Sequence, residues 1–81
     1  MQVLPITSTI IDLSLQDVPF LSNYTVAIAN FTAGAISLQQ SDSDSGFAEL
    51  AQLPAGSITE VQLSKQYIKI AGAGTVYAFG T

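Results

Sequence analysis

Short runs of alternating apolar and polar residues are what most limits the folds open to this chain. Within residues 7–15, Ile11, Leu13 and Leu15 alternate with Ser8, Ile10, Asp12 and Ser14. A period of two places one set on each face of an extended strand. The same pattern recurs with Tyr24, Val26 and Ile28 against Thr25, Ala27 and Ala29, and with Ile36 and Leu38 against Ser37 and Gln39. It returns with Thr59, Val61 and Leu63 against Glu60 and Gln62, then over residues 67–71 and 75–79. Breakers separate the runs: Asp17-Val18-Pro19, Thr32-Ala33-Gly34, the polar tract 39–46, Leu53-Pro54-Ala55-Gly56 and Gly72-Ala73-Gly74. Pro54 and Gly56 are placed for a type II bend. Residues 47–53 fit a strand or a short helix. About seven short strands with a turn signal roughly every 8 to 12 residues predict an all-β fold, a small antiparallel β-sandwich or barrel.

The chain has 81 residues, room for one domain over 1–81. By area scaling such a chain buries only about 60% of its surface on folding. With no Cys and no His, neither a disulfide nor a Cys- or His-ligated metal reinforces that thin core. Charged residues make up 10%, six acids against two Lys, for a net charge of −4. Lys65 and Lys69 cannot neutralise a run of phosphates, so nucleic acid and an anionic membrane surface are not expected partners. No apolar run reaches the length of a membrane span, and Met1-Gln2-Val3-Leu4-Pro5 lacks the basic start of a secretory leader. A surface rich in Ser, Thr, Gln, Ala and Gly suits burial against neighbours better than free solution. The edge strands of so small a sheet have few charges to guard them.

The motifs that carry chemistry are few. Ser64-Lys65 is the only adjacent nucleophile–base pair among nine Ser and two Lys, but neighbours on a strand point to opposite faces. No enzyme activity is therefore expected. Ser41-Asp42-Ser43-Asp44-Ser45-Gly46 resembles a calcium loop, yet with Asp42 first it fails at the fifth, sixth and twelfth positions. Asp42 and Asp44 are left as weak candidates for a looser cation site beside the simpler reading of a polar turn. Asp12, Asp17, Glu49 and Glu60 read as surface acids. Gly72-Ala73-Gly74 lacks the third glycine of a dinucleotide loop and suits a hairpin bend. Asn23-Tyr24-Thr25 and Asn30-Phe31-Thr32 match the glycosylation sequon, a match expected by chance in a Thr- and Ser-rich chain. The aromatics Phe20, Tyr24, Phe31, Phe47, Tyr67, Tyr77 and Phe79 are expected mostly in the core, with a tyrosine-based sugar platform as the other reading. Residues 31–37 and 53–59 echo one another around Ala33-Gly34 and Ala55-Gly56, as two similar turns entering two buried strands.

Residues 23–81 resemble small all-β structural proteins of tailed-phage virions. The resemblance rests on Asn23-Tyr24-Thr25-Val26-Ala27-Ile28-Ala29-Asn30, on Ala35-Ile36-Ser37-Leu38-Gln39-Gln40-Ser41-Asp42 and on Leu53-Pro54-Ala55-Gly56. It continues through Val61, Leu63, Tyr67, Ile68, Ile70, Gly72, Gly74, Thr75, Val76 and Gly80. It implies a non-enzymatic capsid decoration (cement) protein on the virion surface, partnered by the major capsid protein and by copies of itself. A vertex, collar or tail role, or a glycan- or cell-surface-binding module, is the alternative. No catalytic or cofactor residue carries over. By the same resemblance, residues 1–7 are expected as an extended arm before a sandwich over 8–81, with Val3, Leu4 and Ile6 at an assembly interface.

Overall fold

The computed structural model describes residues 2–16 and 25–80. Eight strands lie among them: β1 (Gln2–Ile6), β2 (Ile11–Asp12), β3 (Thr25–Asn30), β4 (Ile36–Ser41), β5 (Ala48–Leu53), β6 (Ser57–Gln62), β7 (Tyr67–Ile70) and β8 (Val76–Gly80). They form two antiparallel four-stranded sheets, ordered β1-β8-β3-β6 and β2-β7-β4-β5. The expected all-β sandwich is the fold. Only β4 and β5 are successive strands of one sheet; every other consecutive pair lies in opposite sheets.

The core lies between the sheets and is aliphatic: Ile6, Leu13, Val26, Ile28, Ile36, Leu38, Leu53, Val61, Leu63, Ile68, Ile70, Val76 and Ala78. Each is the inward residue of an alternating run or flanks one, as period two requires. The aromatics do not build this core. Phe31, Phe47, Tyr67, Tyr77 and Phe79 are all exposed or half-buried, while Phe20 and Tyr24 lie outside the described residues. Two sheets with extents of 30 × 30 × 16 Å leave one thin layer, which branched aliphatic side chains from both sheets fill.

Three expectations change. The arm over 1–7 is instead an edge strand of the chain's own sheet over Gln2–Ile6, paired with β8 from Gln2↔Gly80 to Ile6↔Val76. Pro5 fits there because an edge strand can do without one ladder donor. The strand expected over 7–15 shrinks to Ile11–Asp12, followed by a 3-10 turn over Leu13–Leu15. Asp12 causes the break: its carboxylate accepts from the Ser14 amide at 3.0 Å and the Ser14 hydroxyl at 2.6 Å. This local bonding competes with the sheet ladder. Leu13 is consequently buried while Leu15 is 80% exposed, so the two do not share a face. Third, the glycine-rich turn 71–75 is a corner between sheets and not a hairpin within one, and the Leu53-Pro54-Ala55-Gly56 turn likewise carries the chain from β5 in one sheet to β6 in the other. Gly56 holds φ at +66°, a conformation that disfavours other side chains.

The open choice over 47–53 resolves as a strand. Between Leu38↔Ala51 and Gln39↔Glu49 its register slips by one residue, which bulges β5 at Leu50.

Asn30 ties the corners together. It is fully buried at the end of β3. Its Nδ2 donates to the carbonyls of Gly34 at 3.0 Å, Leu53 at 2.8 Å and Pro54 at 3.3 Å. Its Oδ1 accepts from the Thr32 amide at 2.9 Å and hydroxyl at 2.6 Å. One side chain thus fastens the β3–β4 turn to the end of β5, the two places where the sequence echo falls. The echo stops there, because Ile36 is buried and Ile58, its counterpart, is 68% exposed.

Candidate interaction surface

The sandwich has two broad outer faces, and the strand registers fix what each carries. On the β1-β8-β3-β6 sheet, Ile6, Val76, Leu4, Ala78, Ile28, Val26 and Val61 point inward. The alternate residues form two long outward rows and a third, polar pair of Thr25 with Gln62. One runs Pro5, Tyr77, Ala29, Ile58; the next runs Val3, Phe79, Ala27, Glu60. Phe31 extends the first row, its ring centred 6.2 Å from that of Tyr77 and tilted by 40°. Val3 is 51% exposed and Phe31 70% exposed. Ala29, between Tyr77 and Ile58, is fully covered. Seven of the ten outward positions are apolar or aromatic; Thr25 and Gln62 are polar, and the one charge, Glu60, lies on edge strand β6.

The outer face of the β2-β7-β4-β5 sheet is polar. Its rows are Asp12, Tyr67, Ser41; then Lys69, Gln39, Glu49; then Ser37, Gln52. These groups satisfy one another. Glu49 accepts from Ser37 at 2.8 Å and from Gln52 at 2.6 Å. Lys69 Nζ lies 5.0 Å from the centre of the Phe47 ring, a cation–π contact. Asp12 also accepts from Gln66 Nε2 at 3.1 Å. The Ser14 hydroxyl, ahead of Gln66, holds the Asp12 carboxyl below its ordinary value of 3.8, against a smaller opposing effect of desolvation.

The residues singled out in the sequence fall as follows. Val3 faces outward on the apolar face, Leu4 is half-buried against the core, and Ile6 is fully buried within it. Ile6 therefore cannot serve an assembly interface in the folded chain. Asp42 pairs with Lys65 at 3.2 Å, and the loop it shares with Asp44 is shaped by serines, with Ser41 Oγ donating to the Ser45 carbonyl at 2.5 Å. Among the described residues no three carboxylates gather to hold a metal ion. Ser64 and Lys65 look to different partners, Ser64 donating to Gln40 at 3.2 Å. The Asn30 sequon is structural: its amide nitrogen is buried and fully used. Asn23 and Asp17 lie outside the described residues. Among the described residues there is no pocket, and no helix is long and apolar enough to cross a membrane.

Sequence reasoning passed over Phe31, Ile58, Tyr77 and Phe79 as surface residues. Their alternation places them opposite the buried set. However, only the register across β1, β8, β3 and β6 shows that they share one face. Comparison with protein-family models, with curated proteins and with solved structures finds no match to this chain.

Proposed function

We propose that this chain is a non-enzymatic structural subunit of a phage particle, a decoration protein that stabilises the capsid by laying its apolar face on the shell. The observation that carries this reading is the outward row Pro5, Tyr77, Ala29 and Ile58 with Phe31, Val3 and Phe79 around it. A contiguous uncharged patch of this kind on a small domain marks a surface meant to be covered. At about 25 cal/mol per Å², burying even a few hundred Å² offsets much of the cost of association. Many copies acting together then stabilise the assembled shell, because they bind it and not its separate subunits. The phage setting follows from the resemblance of residues 23–81, and the partners are the major capsid protein and other copies of this chain.

The exposed Phe31–Tyr77 pair favours one second reading, a binding module in which the rings stack on a sugar. Copy number tests the first reading. Particles from the native source are purified on a density gradient and this chain is quantified against the main shell protein. Recovery near one copy per shell subunit is the expected result. A handful of copies per particle would indicate a vertex, collar or tail component. Recovery only in the soluble fraction would overturn the reading and leave the binding module, which a glycan array then tests.

A further inference from the structure

Four edge strands border the two sheets, and three are poor templates for another strand. β2 is two residues long and runs directly into a 3-10 turn. β5 is bulged at Leu50. β1 carries Pro5 and so lacks a donor in mid-strand. Short length, bulges and proline are the usual guards of an open edge. β6 has none of them. Its six residues, Ser57-Ile58-Thr59-Glu60-Val61-Gln62, pair with β3 without a slip from Thr25↔Gln62 to Asn30↔Ser57. No proline or lysine interrupts it. Among the described residues, no backbone hydrogen bond from a turn or loop reaches its free side.

We propose that β6 pairs antiparallel with β6 of a second copy of this chain, joining the two β1-β8-β3-β6 sheets into one eight-stranded sheet across a two-fold axis. This deepens the reading above, in which copies of the chain are partners, by naming the contact. The occupant follows from the strand's own register. A two-fold axis perpendicular to the sheet keeps the inward residues of both copies on the same side, so like-facing residues must meet. Two registers give a ladder of five pairs. One centres Glu60 on Glu60 and sets like charges face to face, which is destabilising. The other centres Thr59 on Thr59 and sets Glu60 of each copy against Ile58 of the other. Threonine pairs stabilise such a ladder, and no charge meets its like. The second register also brings the two outer faces edge to edge, with Ile58 and Glu60 of each copy meeting at the seam and the apolar rows of both copies flanking it.

Charge swaps at position 58 test the register. Ile58 is largely exposed on the outer side, so its replacement leaves the core alone. Sedimentation equilibrium is run on the purified protein, without particles, alongside circular dichroism to confirm folding. The wild type is expected to shift with concentration from 8.5 kDa toward twice that mass. Ile58→Glu sets two Glu–Glu pairs across the axis and is expected to weaken association about tenfold or more. Ile58→Lys, facing Glu60, is expected to associate at least as well as the wild type. Ile58→Glu combined with Glu60→Lys is expected to restore association. A wild type that stays at 8.5 kDa up to about 1 mM would overturn edge pairing. Equal loss with Ile58→Glu and Ile58→Lys would overturn it too, since apolar face-to-face contact suffers from either charge. Neither result touches the particle reading, which is measured separately by copy number.

Discussion

On the outer face of the β2-β7-β4-β5 sheet the polar groups are spent on one another. On the opposite face there are almost none to spend. Asp12 holds Ser14 and Gln66, Glu49 holds Ser37 and Gln52, and Lys69 lies over Phe47. Across the sandwich stand Val3, Pro5, Phe31, Tyr77, Phe79, Ala27 and Ile58, with Glu60 at the margin. A chain with only 10% charged residues does not spread them evenly. Among the described residues it places Asp12, Glu49 and Lys69 on one face and Asp42, Asp44 and Lys65 in loops, and leaves Glu60 as the single charge on the other face. The thin core explains why aromatics are found outside: the space between the sheets is filled by Ile, Leu and Val, and the larger rings lie on the outward rows. Low charge is therefore a property of one surface of the molecule, and that surface is where assembly is to be sought.

The comparison breaks most completely if the two sheets come apart. Asn30 is the fastener, bonding through one side chain to Gly34, Leu53, Pro54 and Thr32. Asn30→Ala leaves buried carbonyls without a donor, each costing about 1–3 kcal/mol. The expected loss is roughly 3 kcal/mol, a fall in Tm of about 10–20 °C for a domain of this size. Thermal unfolding followed by circular dichroism measures it. A fall of less than about 2 °C would mean that the corners hold without Asn30. Both faces would be lost together in the Ala variant, which is why this change ranks first.

A finer cut separates the faces while keeping the fold. Phe31→Ser removes the most exposed ring from the apolar face, and Gln52→Ser alters the polar face. Both residues are exposed, so each variant should retain its Tm to within a few degrees. Rebinding to stripped particles should weaken by roughly 10- to 100-fold for Phe31→Ser, the worth of burying one Phe side chain. It should be unchanged for Gln52→Ser. The reverse ranking would show that the shell meets the polar face.

How far this arrangement is legible in the sequence depends on how local its cause is. The strands over 25–30, 57–62, 67–70 and 76–80 can be read from alternation, because burial on one side of a strand is set residue by residue, whereas β4 runs on through 39–41, which the polar side chains there mark as a turn. The inner strand set follows too. The docked β1 does not, because its partner β8 lies at the far end of the chain, and nothing near Val3 or Leu4 signals it. The break at Asp12 is local and readable in principle: Asp followed two residues later by Ser is a turn-forming pair that outbids a strand. The sequon at Asn30 shows a different limit. Its Asn and Thr do act as a pair, Thr32 donating to Asn30 at 2.6 Å, but they serve a corner and not a glycan. Only tertiary placement distinguishes the two. The apolar face is legible last of all, because it requires the order β1-β8-β3-β6, which no single run of residues encodes.

The smallest expected effect tests whether the polar face is a charged network at all. Hydrogen bonds from Ser14, first, and from Gln66 hold the Asp12 carboxyl below its ordinary value of 3.8. A group whose folded value is lowered contributes stability that is fully present above its unfolded value and is lost as pH falls through the folded one. The stability that Asp12 adds should accordingly be constant above about pH 5 and fade below pH 3.8. Asp12→Asn cannot ionise, so it lacks that contribution throughout. Melting curves of the two proteins taken from about pH 6 to about pH 2 should lie apart at the upper end and converge at the lower. A separation that stays constant with pH would mean that the Asn variant differs in packing, and that the carboxylate's charge adds nothing to the face. Since Asp12 lies on the side away from Phe31 and Ile58, neither its protonation nor its replacement should change rebinding to particles under conditions where the fold is intact. A pH-dependent affinity that vanished in Asp12→Asn would place the polar face in the contact and reverse the assignment of the two surfaces.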